Sequence, residues 1–486
     1  MNKISCFLPY AGKEQVEKTV NSLQATGLIE EIRLITTDAT LESLPDCEIL
    51  FVDMPYSSAT LKAIANAAKG EYTLLYTKET TLEMGMFALE RMIHILEDSS
   101  AGMVYADHYQ IADGKQSNAP VIDYQFGSLR DDFNFGSLLL FNTEKLKEAA
   151  GHMKSDYNFA GLYDLRLKLS QHSNLVHINE YLYSEVENDT RKSGEKIFDY
   201  VDPKNRDRQI EMEQACTEHL KEIGGYLAPE FKKIEFSAGN FEYEASVIIP
   251  VRNRIRTIRD AIKSVLMQKT DFKYNLIIID NHSTDGTTEA IDEFKDDERL
   301  IHIVPERNDL GIGGCWNVGV HHPKCGKFAV QLDSDDVYKD ENTLAIMVRA
   351  FYEQNCAMVV GTYMMTDFNM NMIAPGIIDH KEWTPANGRN NALRINGLGA
   401  PRAFYIPVLR EVKVPNTSYG EDYALGLNFS RQYQIGRVYD VVYLCRRWDD
   451  NSDASLDIVK MNGHNLYKDR IRTWELQARI AMNKNK

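Results

Sequence analysis

The sequence predicts two tandem α/β domains, each a mostly parallel sheet flanked by helices, joined by a helical linker. Three observations predict this fold class. The chain has 486 residues, more than one hydrophobic core usually holds. Strand-like and helix-like segments alternate, and the strands are continuous apolar runs, which is typical of parallel strands covered on both faces. Finally, the two halves repeat the same order of elements.

The repeat begins with an apolar strand, an amphipathic helix and a second apolar strand. In the first half these elements are expected at 4–9, 14–23 and 31–35, and in the second half at 246–250, 258–267 and 276–280. Further along, a glycine ends a helix before a buried strand in both halves, at Gly70 and Gly326. Each half then has a glycine followed closely by an aspartate. The distance in sequence from Gly70 to Asp164 is nearly equal to that from Gly326 to Asp422, so Asp164 is expected to correspond to Asp422.

These landmarks predict the domain boundaries. We expect a first domain at 1–190, a linker at 191–240 and a second domain at 241–486 that ends in a helix. The linker is polar and charged, and a helix is expected near 206–223, before glycine and proline stop signals. The last helix, from Leu456 to about Met482, has an apolar side that we expect to pack on the second domain.

Charge and composition exclude several classes of protein. Lys and Arg total 55 against 71 Asp and Glu, a net charge of −16, which argues against a nucleic-acid partner. The 7 cysteines contain no C-x-x-C pair and are expected to be reduced thiols. No apolar run approaches the roughly 20 residues that span a bilayer, and no signal-peptide core is present. We expect a cytoplasmic protein without a transmembrane segment.

Three polar clusters in the second half follow or adjoin predicted strands. They are 280–287, the glycine-rich 308–319 and the acidic 333–336. Open α/β sheets bind ligands at the carboxyl ends of their strands, where these clusters are expected. Asp333 and Asp335 could together hold Mg²⁺ or Mn²⁺, although such a D-x-D by itself is common in solvated loops. The glycine-rich segment suits close approach of a ligand to the backbone, but it matches neither a P-loop nor a dinucleotide fingerprint.

Five ordered elements carry a specific resemblance. They are V-I-I-P-V-R-N-R, I-I-I-D-N-H-S-T-D-G-T, N-x-x-G before W-N-x-G, L-D-S-D-D, and the acidic pair Glu421-Asp422 after Gly420. This series resembles the family 2 glycosyltransferases of GT-A fold. The resemblance covers roughly 244–450, and the internal repeat extends a fainter version over 1–190.

The resemblance implies roles for individual residues. Asp333 and Asp335 would contact the donor ribose and a divalent metal, Mn²⁺ or Mg²⁺, with Asp335 the likelier direct ligand of the two. Asp422 would be the general base, while Glu421 would raise the proton affinity of that base or hold the acceptor. Further residues would lie around the donor: Pro250, Arg252, Asn253, Asp280, Asn281, Asn308, Gly311, Asn317, Ser334, Arg446 and Arg447. Arg446 or Arg447 could instead pair with Asp449 or Asp450.

The implied reaction is an inverting, metal-dependent transfer of a sugar from a nucleotide-diphosphate sugar to a hydroxyl. A UDP-sugar is favoured as donor, with GDP- and dTDP-sugars as options. The acceptor would be a glycan or a lipid-linked saccharide, reached by peripheral contact with the inner face of the membrane. Two alternatives stay open: a bifunctional polysaccharide-forming transferase with both halves active, and a non-catalytic nucleotide- or glycan-binding protein.

The first half departs from the pattern at the metal position. Thr77-Lys78-Glu79 aligns with Asp333-Ser334-Asp335, so that a lysine stands beside the single remaining carboxylate. A divalent cation would be poorly held there. Asp164 persists where the base would be, yet the substitution favours a degenerate domain.

Overall fold

The structure, a computed structural model, describes residues 3–42, 44–187, 202–237, 239–381, 383–451 and 456–485. Two compact units make up the chain. The first consists of Met1–Lys196, Asp207–Gly224 and Leu456–Thr473, and the second of Ile197–Arg206, Gly225–Ser455 and Trp474–Lys486.

The first unit is built on one mixed sheet. Its strands are β1 Ile4–Pro9, β2 Ile29–Thr36, β3 Glu48–Phe51, β4 Tyr72–Tyr76, β5 Leu82–Met84, β6 Met103–Ala112, β7 Lys115–Ala119, β8 Leu138–Asn142 and β9 Leu175–Val186. Their order is β3-β2-β1-β4-β8-β6-β9-β5, with β7 paired to β6. The helices of this unit are Lys13–Gln24, Ser58–Ala67, Ala88–Asp98, Thr143–Gly151 and Gly161–His172.

The second unit has a sheet of the same topology. Its strands are β10 Ala245–Val251, β11 Tyr274–Asp280, β12 Leu300–Ile303, β13 Phe328–Gln331, β14 Val337–Tyr338, β15 Met358–Thr366, β16 Met372–Ile378, β17 Arg402–Tyr405 and β18 Ile435–Arg446. Their order is β12-β11-β10-β13-β17-β15-β18-β14, with β16 paired to β15. The helices are Ile258–Leu266, Thr287–Asp292, Ile312–His321, Thr343–Gln354, Gly388–Asn391, Ile406–Val412 and Glu421–Gln432.

The predicted fold class is confirmed: two α/β sheets flanked by helices follow one another along the chain. In both sheets the strands that come first along the chain are parallel. In the second sheet, β10 pairs in parallel with β11 and β13. Both sheets are mixed. In the second sheet β17 is antiparallel to β13 and β15, and in the first sheet β8 is antiparallel to β4 and β6. Burial explains the continuous apolar runs, since six of the seven residues of β10 and all seven of β11 are buried.

Two helices lie outside this pattern. The helix predicted in the linker is found at Arg206–Glu222, whereas 191–201 and Ala238, which also belong to the predicted linker, lie outside the described residues. The last helix, Ile458–Lys484, was expected to pack on the second domain alone. Its residues up to Thr473 instead group with the first unit, where Leu466 packs against the core. No helix among the described residues is long and apolar enough to cross a membrane.

Strand pairing aligns the two units residue by residue. In the first unit Met103 pairs with Phe141 and Leu175, and in the second Met358 pairs with Phe404 and Ile435. The helices Gly161–His172 and Glu421–Gln432 both have 12 residues and precede these matched strands. Tyr163 therefore corresponds to Tyr423, and both hydroxyls donate to a backbone carbonyl.

This alignment corrects one prediction. Because the two helices start at Gly161 and Glu421, the residue that matches Asp422 is Leu162. Asp164 lies two positions further along its helix and is completely buried. Burial raises the pKa of Asp164 to about 7, with the Lys168 ammonium at 3.9 Å. Sequence spacing had placed Asp164 at the base position. The two-residue difference between Asp164 and Leu162 can be detected only when the first residue of each helix is known.

Candidate functional site

The acidic segment 333–336 lies just beyond the carboxyl end of β13, as predicted. Asp333 Oδ1 accepts from the side-chain amide of Gln331 at 2.8 Å, and the Asp333 amide donates to the Tyr443 hydroxyl at 3.1 Å. Ser334 is buried, and its carbonyl accepts from the Thr257 hydroxyl at 3.0 Å. The turn is therefore held in place by strand and helix side chains on both sides.

Asp335, the second carboxylate of the D-x-D, is half-buried. Its Oδ2 accepts from Asn451 Nδ2 at 3.1 Å and from Trp448 Nε1 at 3.4 Å. The guanidinium of Arg254 approaches the same oxygen, with Nε at 3.7 Å. These contacts place a cation and two neutral donors around a partly exposed carboxylate.

The predicted base is held by a residue that the sequence did not indicate. Gly420 adopts a φ of +78°, a left-handed conformation that glycine tolerates, so that the helix starts directly at Glu421. In the first turn of this helix, Asp422 Oδ2 lies 2.9 Å from Arg402 Nη1. The same guanidinium nitrogen donates to the Gly399 carbonyl at 2.6 Å. Arg402 thus fixes the Asp422 carboxylate from the edge of β17.

One side chain connects the D-x-D with the base. Gln331, at the end of β13, donates from Nε2 to Asp333, while its Oε1 accepts from the Arg402 amide at 3.1 Å. Arg402 in turn pairs with Asp422. The chain of contacts from Asp333 to Asp422 lies across two neighbouring strands of one sheet edge.

The carboxylates of this cluster perturb each other. Burial raises the pKa of Asp333, and the neighbouring Asp335 raises it further, while the Arg402 cation opposes both. Burial and the Asp422 carboxylate raise the pKa of Glu421 to about 8. Asp336 is buried, and burial together with Asp335 raises its pKa well above the usual range. Perturbed acids gathered at a strand edge are typical of functional sites.

Asp280, predicted to contact the nucleobase, ends β11 and bonds within its own loop. It is fully buried, and its two oxygens accept from the Ser283 amide at 3.0 Å and the Thr288 hydroxyl at 2.5 Å. Although burial acts in the opposite direction, hydrogen bonding from His302, Thr288 and Ser283 lowers the pKa of Asp280. The carboxylate therefore shapes its own loop, and contact with a base stays a prediction.

The neighbouring loop residues join two strand ends. Asn253 has a φ of +54°, its amide donates to Ser283 Oγ at 2.9 Å, and its Oδ1 accepts from the Thr284 amide at 2.8 Å. Asn281 Nδ2 donates to the Leu310 carbonyl at 2.9 Å. The Asn253 contacts tie the end of β10 to the loop after β11, and the Asn281 contact ties the start of that loop to Leu310. Pro250 is half-buried within β10, and the side chain of Arg252 is exposed.

The glycine-rich segment packs against the backbone of the same unit. A Cβ on Gly313 would lie 1.8 Å from the Pro415 carbonyl oxygen, and the Gly313 amide donates to the Thr417 carbonyl at 2.9 Å. Asn317 donates to the Val414 carbonyl at 2.7 Å and accepts from the Val414 amide at 3.1 Å. The glycines thus permit a loop of the same unit to approach the backbone closely. The sequence analysis had expected a ligand in that place.

Two other predicted donor residues lie at the start of this segment. The Gly311 amide donates to Asn416 Oδ1 at 2.8 Å, and Asn308 is exposed. Their contact with a donor stays a prediction.

The paired arginines after β18 have different surroundings. Arg446 is buried, pairs with Asp260 at 3.0 Å and stacks on Phe368, so its partner is neither Asp449 nor Asp450. Its backbone amide donates to Asp336 at 2.7 Å. Arg447 donates its amide to the Thr366 carbonyl at 2.8 Å. Contact of either side chain with a diphosphate stays a prediction.

The carboxylates fit a hard divalent cation that shares its shell with a ligand. Among the described residues, no three His, Cys, Asp or Glu side chains are grouped closely enough to hold a metal by themselves. Asp333 and Asp335 supply two carboxylates in one turn, the donor type that Mg²⁺ and Mn²⁺ prefer. Mg²⁺ is commonly bound by one or two carboxylates and completed by substrate phosphates, so this pair suffices.

Sequence reasoning missed Arg402, Gln331 and Arg254. Gln331 had a signal, because a polar residue ending an apolar strand and buried beside the acidic turn needs a partner. Arg254 lies at the end of the V-I-I-P-V-R-N-R element, although no role was assigned to it there. Arg402 had no signal, since its partners lie elsewhere in the sequence.

The corresponding edge of the first unit lacks these charges. Strand register matches Leu139 to Arg402, and the helix alignment matches Leu162 to Asp422. At the D-x-D position, Lys78 Nζ pairs with Glu185 at 2.5 Å and with Glu187 at 3.2 Å. Lys78 thus places an ammonium group, paired with two carboxylates, at this edge.

Comparison with known proteins finds a family match within the second unit. Residues 246–403 match the family model described as Glycosyl transferase family 2. This match confirms the resemblance inferred from the ordered elements.

Curated relatives and one solved structure are similar to parts of this chain. An uncharacterized glycosyltransferase of Rickettsia conorii is 39% identical over 111 residues, covering 23% of this chain and 17% of the relative. A GalNAc(5)-diNAcBac-PP-undecaprenol β-1,3-glucosyltransferase of Campylobacter jejuni is 36% identical over 93 residues, covering 19% and 29%. The chain therefore spans less than a third of either relative. TarS of S. aureus in complex with UDP-GlcNAc shares 20% identity over 49% of this chain and 72% of that chain, with a TM-score of 0.38.

Proposed function

We propose that this chain, whose residues 246–403 belong to the glycosyl transferase family 2, moves a sugar from a nucleotide-diphosphate sugar to an acceptor hydroxyl with inversion. The observation that carries the proposal is the Asp333–Gln331–Arg402–Asp422 chain of contacts, which joins a candidate cation site to a candidate base. Ligands of open α/β sheets bind at such an edge.

Asp422 acts as the general base. Its carboxylate accepts the proton of the acceptor hydroxyl as the oxygen attacks the anomeric carbon from the face opposite the diphosphate. The new glycosidic bond forms as the bond to the leaving oxygen breaks, so the configuration inverts. A positioned base of this kind typically contributes about 10²–10⁴-fold to the rate. Arg402 keeps the carboxylate oriented through its contact at 2.9 Å.

Asp333 and Asp335 bind and orient the donor at its ribose and diphosphate. When bound, Mn²⁺ or Mg²⁺ would offset the negative charge that develops on the leaving diphosphate. Arg254, with Nε 3.7 Å from Asp335, adds cationic charge at the same position. A UDP-sugar is the favoured donor, with GDP- and dTDP-sugars as the options that the experiment below separates.

Glu421 is suited to hold the acceptor as a hydrogen-bond donor. Burial and Asp422 raise its pKa to about 8, so the group carries a proton at neutral pH. A protonated carboxyl can donate to a sugar oxygen beside the base. The acceptor itself is proposed to be a glycan or a lipid-linked saccharide, and peripheral contact with a membrane surface would suit the second.

We place one active site in the chain, in the second unit. Leu139 and Leu162 stand where Arg402 and Asp422 would be needed, and a leucine can neither take a proton nor orient a base. At the position of Ser334, the first unit has the ammonium group of Lys78, which pairs with Glu185. These substitutions support a degenerate first unit over a bifunctional transferase.

Thermal unfolding of the full chain tests the proposal. UDP-, GDP- and dTDP-sugars are added singly, each with and without Mn²⁺, because a ligand that binds the folded state raises the unfolding midpoint. We expect one nucleotide class to raise the midpoint only with the metal. Asp335→Asn should abolish this shift, whereas Asp422→Asn should keep it and lose turnover. If no donor shifts the midpoint, or if Asp422→Asn retains normal turnover, the assignment is wrong.

A matched variant addresses the first unit. Asp164→Asn changes a buried carboxylate in the helix that corresponds to the one bearing Asp422. We expect its transfer rate per folded molecule to equal that of the unaltered chain. A loss as large as that of Asp422→Asn would instead support two active sites.

A further inference from the structure

The first unit has a partly open cavity of about 220 Å³ that has no part in the proposed transfer. Its wall is mainly aromatic and aliphatic and includes Phe133, Phe135, Phe141 and Leu162. A dry cavity of roughly 150 Å³ with apolar walls is enough to hold benzene. The cavity is therefore large enough for an apolar ligand group of one or two rings.

The cavity lies where the second unit has its charged pair. Leu139 and Leu162, which correspond to Arg402 and Asp422, are both in its wall. Two charged groups in this position would have to be solvated, whereas two leucines leave an apolar space. The first unit has thus kept the fold but changed the chemistry of this edge.

The aromatic wall favours an aromatic ligand. Phe133 and Phe135 have ring centroids 4.5 Å apart, and Tyr105 meets Phe135 edge to face at 4.9 Å and 85°. Aromatic rings prefer such tilted and edge-to-face contacts. A further ring inserted beside them would extend the same packing.

A buried cation also lines the cavity. Arg166 is 6% exposed, and its guanidinium lies 4.7 Å from the Tyr163 ring centroid and 5.4 Å from that of Phe135. Its nitrogens donate to the backbone carbonyls of Ser128 and Arg130. Across the part of the chain that the structure describes, no carboxylate forms an ion pair with Arg166.

The charge of the lining is therefore unbalanced. The other charged lining residues, Asp131 and Arg208, have opposite signs, which leaves the charge of Arg166 in excess. A buried charge without a counter-ion is costly, and a guanidinium pairs well with a carboxylate. An anionic group on the ligand would supply the missing charge.

We propose that this cavity binds a small aromatic carboxylate, with one or two rings among Phe133, Phe135 and Phe141 and its carboxylate against Arg166. The ligand class differs from both substrates of the proposed transfer. Its binding does not depend on the activity of the second unit.

Equilibrium dialysis of the full chain against 2-naphthoate and the neutral 2-naphthalenemethanol tests the proposal. We expect one naphthoate per chain, bound at least tenfold more tightly than the alcohol. Leu162→Trp, which fills the cavity with an indole, should weaken naphthoate binding at least tenfold, and Leu139→Trp serves if that variant does not fold. Arg166→Met should remove the preference for the anion. Asp422→Asn, the matched control in the second unit, should bind naphthoate normally.

Three results would overturn the proposal. These are no saturable binding of naphthoate, binding of the alcohol as tight as that of the anion, and unchanged binding in a folded cavity-filled variant. The comparison of the two ligands on the unaltered chain decides the ligand class even if every variant fails to fold. Loss of donor binding in the second unit would leave these results unaffected.

Discussion

Replacement of Arg402 by methionine separates the positioning of the base from its chemistry. The change removes a guanidinium whose Nη1 lies 2.9 Å from Asp422 Oδ2 and 2.6 Å from the Gly399 carbonyl, and it keeps most of the side-chain volume. The pair is shielded, with the side chains of Arg402 and Asp422 only 16% and 24% exposed. The contact should therefore be stronger than an ion pair at the surface.

The size of the effect can be worked from this contact. A hydrogen bond to a charged group contributes about 1.5–3 kcal/mol, and each roughly 1.4 kcal/mol of lost transition-state stabilisation is tenfold in rate. Loss of the Arg402–Asp422 bond should lower kcat about 10- to 100-fold by this conversion. Donor binding should change less than kcat, because the contact from position 402 to Gln331, which holds Asp333, is made by the backbone amide that methionine keeps.

The assay is the release of nucleoside diphosphate at saturating donor, combined with thermal unfolding to measure donor binding and folding. Arg402→Lys is the matched control, since it keeps the charge but not the planar fork of donors. We expect it to recover part of kcat. The positioning role is refuted if Arg402→Met, shown to be folded and to bind donor, turns over at the rate of the unaltered chain.

Three further predictions concern stability. Glu421 has a folded pKa of about 8 against an ordinary 4.5, so the folded chain holds the extra proton between these values and its free energy of unfolding falls as pH rises through them. Glu421→Gln should flatten this fall in thermal unfolding measured against pH, and an unchanged slope would contradict it. Asp280→Asn should cost about 2–4 kcal/mol in urea unfolding, because a buried carboxylate that accepts from Ser283 and Thr288 is replaced; a negligible loss would return Asp280 to a purely ligand-binding role. Gly313→Ala should cost about 3 kcal/mol or more through overpacking, given the 1.8 Å approach to a carbonyl oxygen. Gly463→Ala, in a helix with nothing within 4 Å of the added methyl, should stabilise the chain by about 0.5–1 kcal/mol, and equal effects of the two changes would refute the packing role.

The order of elements was predictable because it depends on local patterns. Continuous apolar runs predicted strands such as 276–280, and the structure has Tyr274–Asp280. Helical spacing over 258–267 predicted the helix found at Ile258–Leu266. The antiparallel return of β17 was not predicted, since strand direction depends on the path of the chain between strands rather than on composition.

The location of the candidate site was also predictable in part. The acidic turn at 333–336 was recognised from its place after a strand, and the pair Glu421-Asp422 from the resemblance to the family 2 glycosyltransferases; both lie at the same sheet edge. Their contacts were not predictable. Arg402 is far from Asp333 in sequence, and only the pairing of β13 with β17 brings their strands together.

By itself, the sequence determined the alternation of strands and helices, the duplication of one fold and the strand ends at which polar groups collect. Each of these depends on the period and composition of short segments. Tertiary structure alone decided that Asp280 turns inward, that Gly313 packs on a loop, and that Leu162 occupies the position of Asp422. These outcomes depend on which side chains meet across the fold, and a contact between distant residues leaves no periodic signal in either segment.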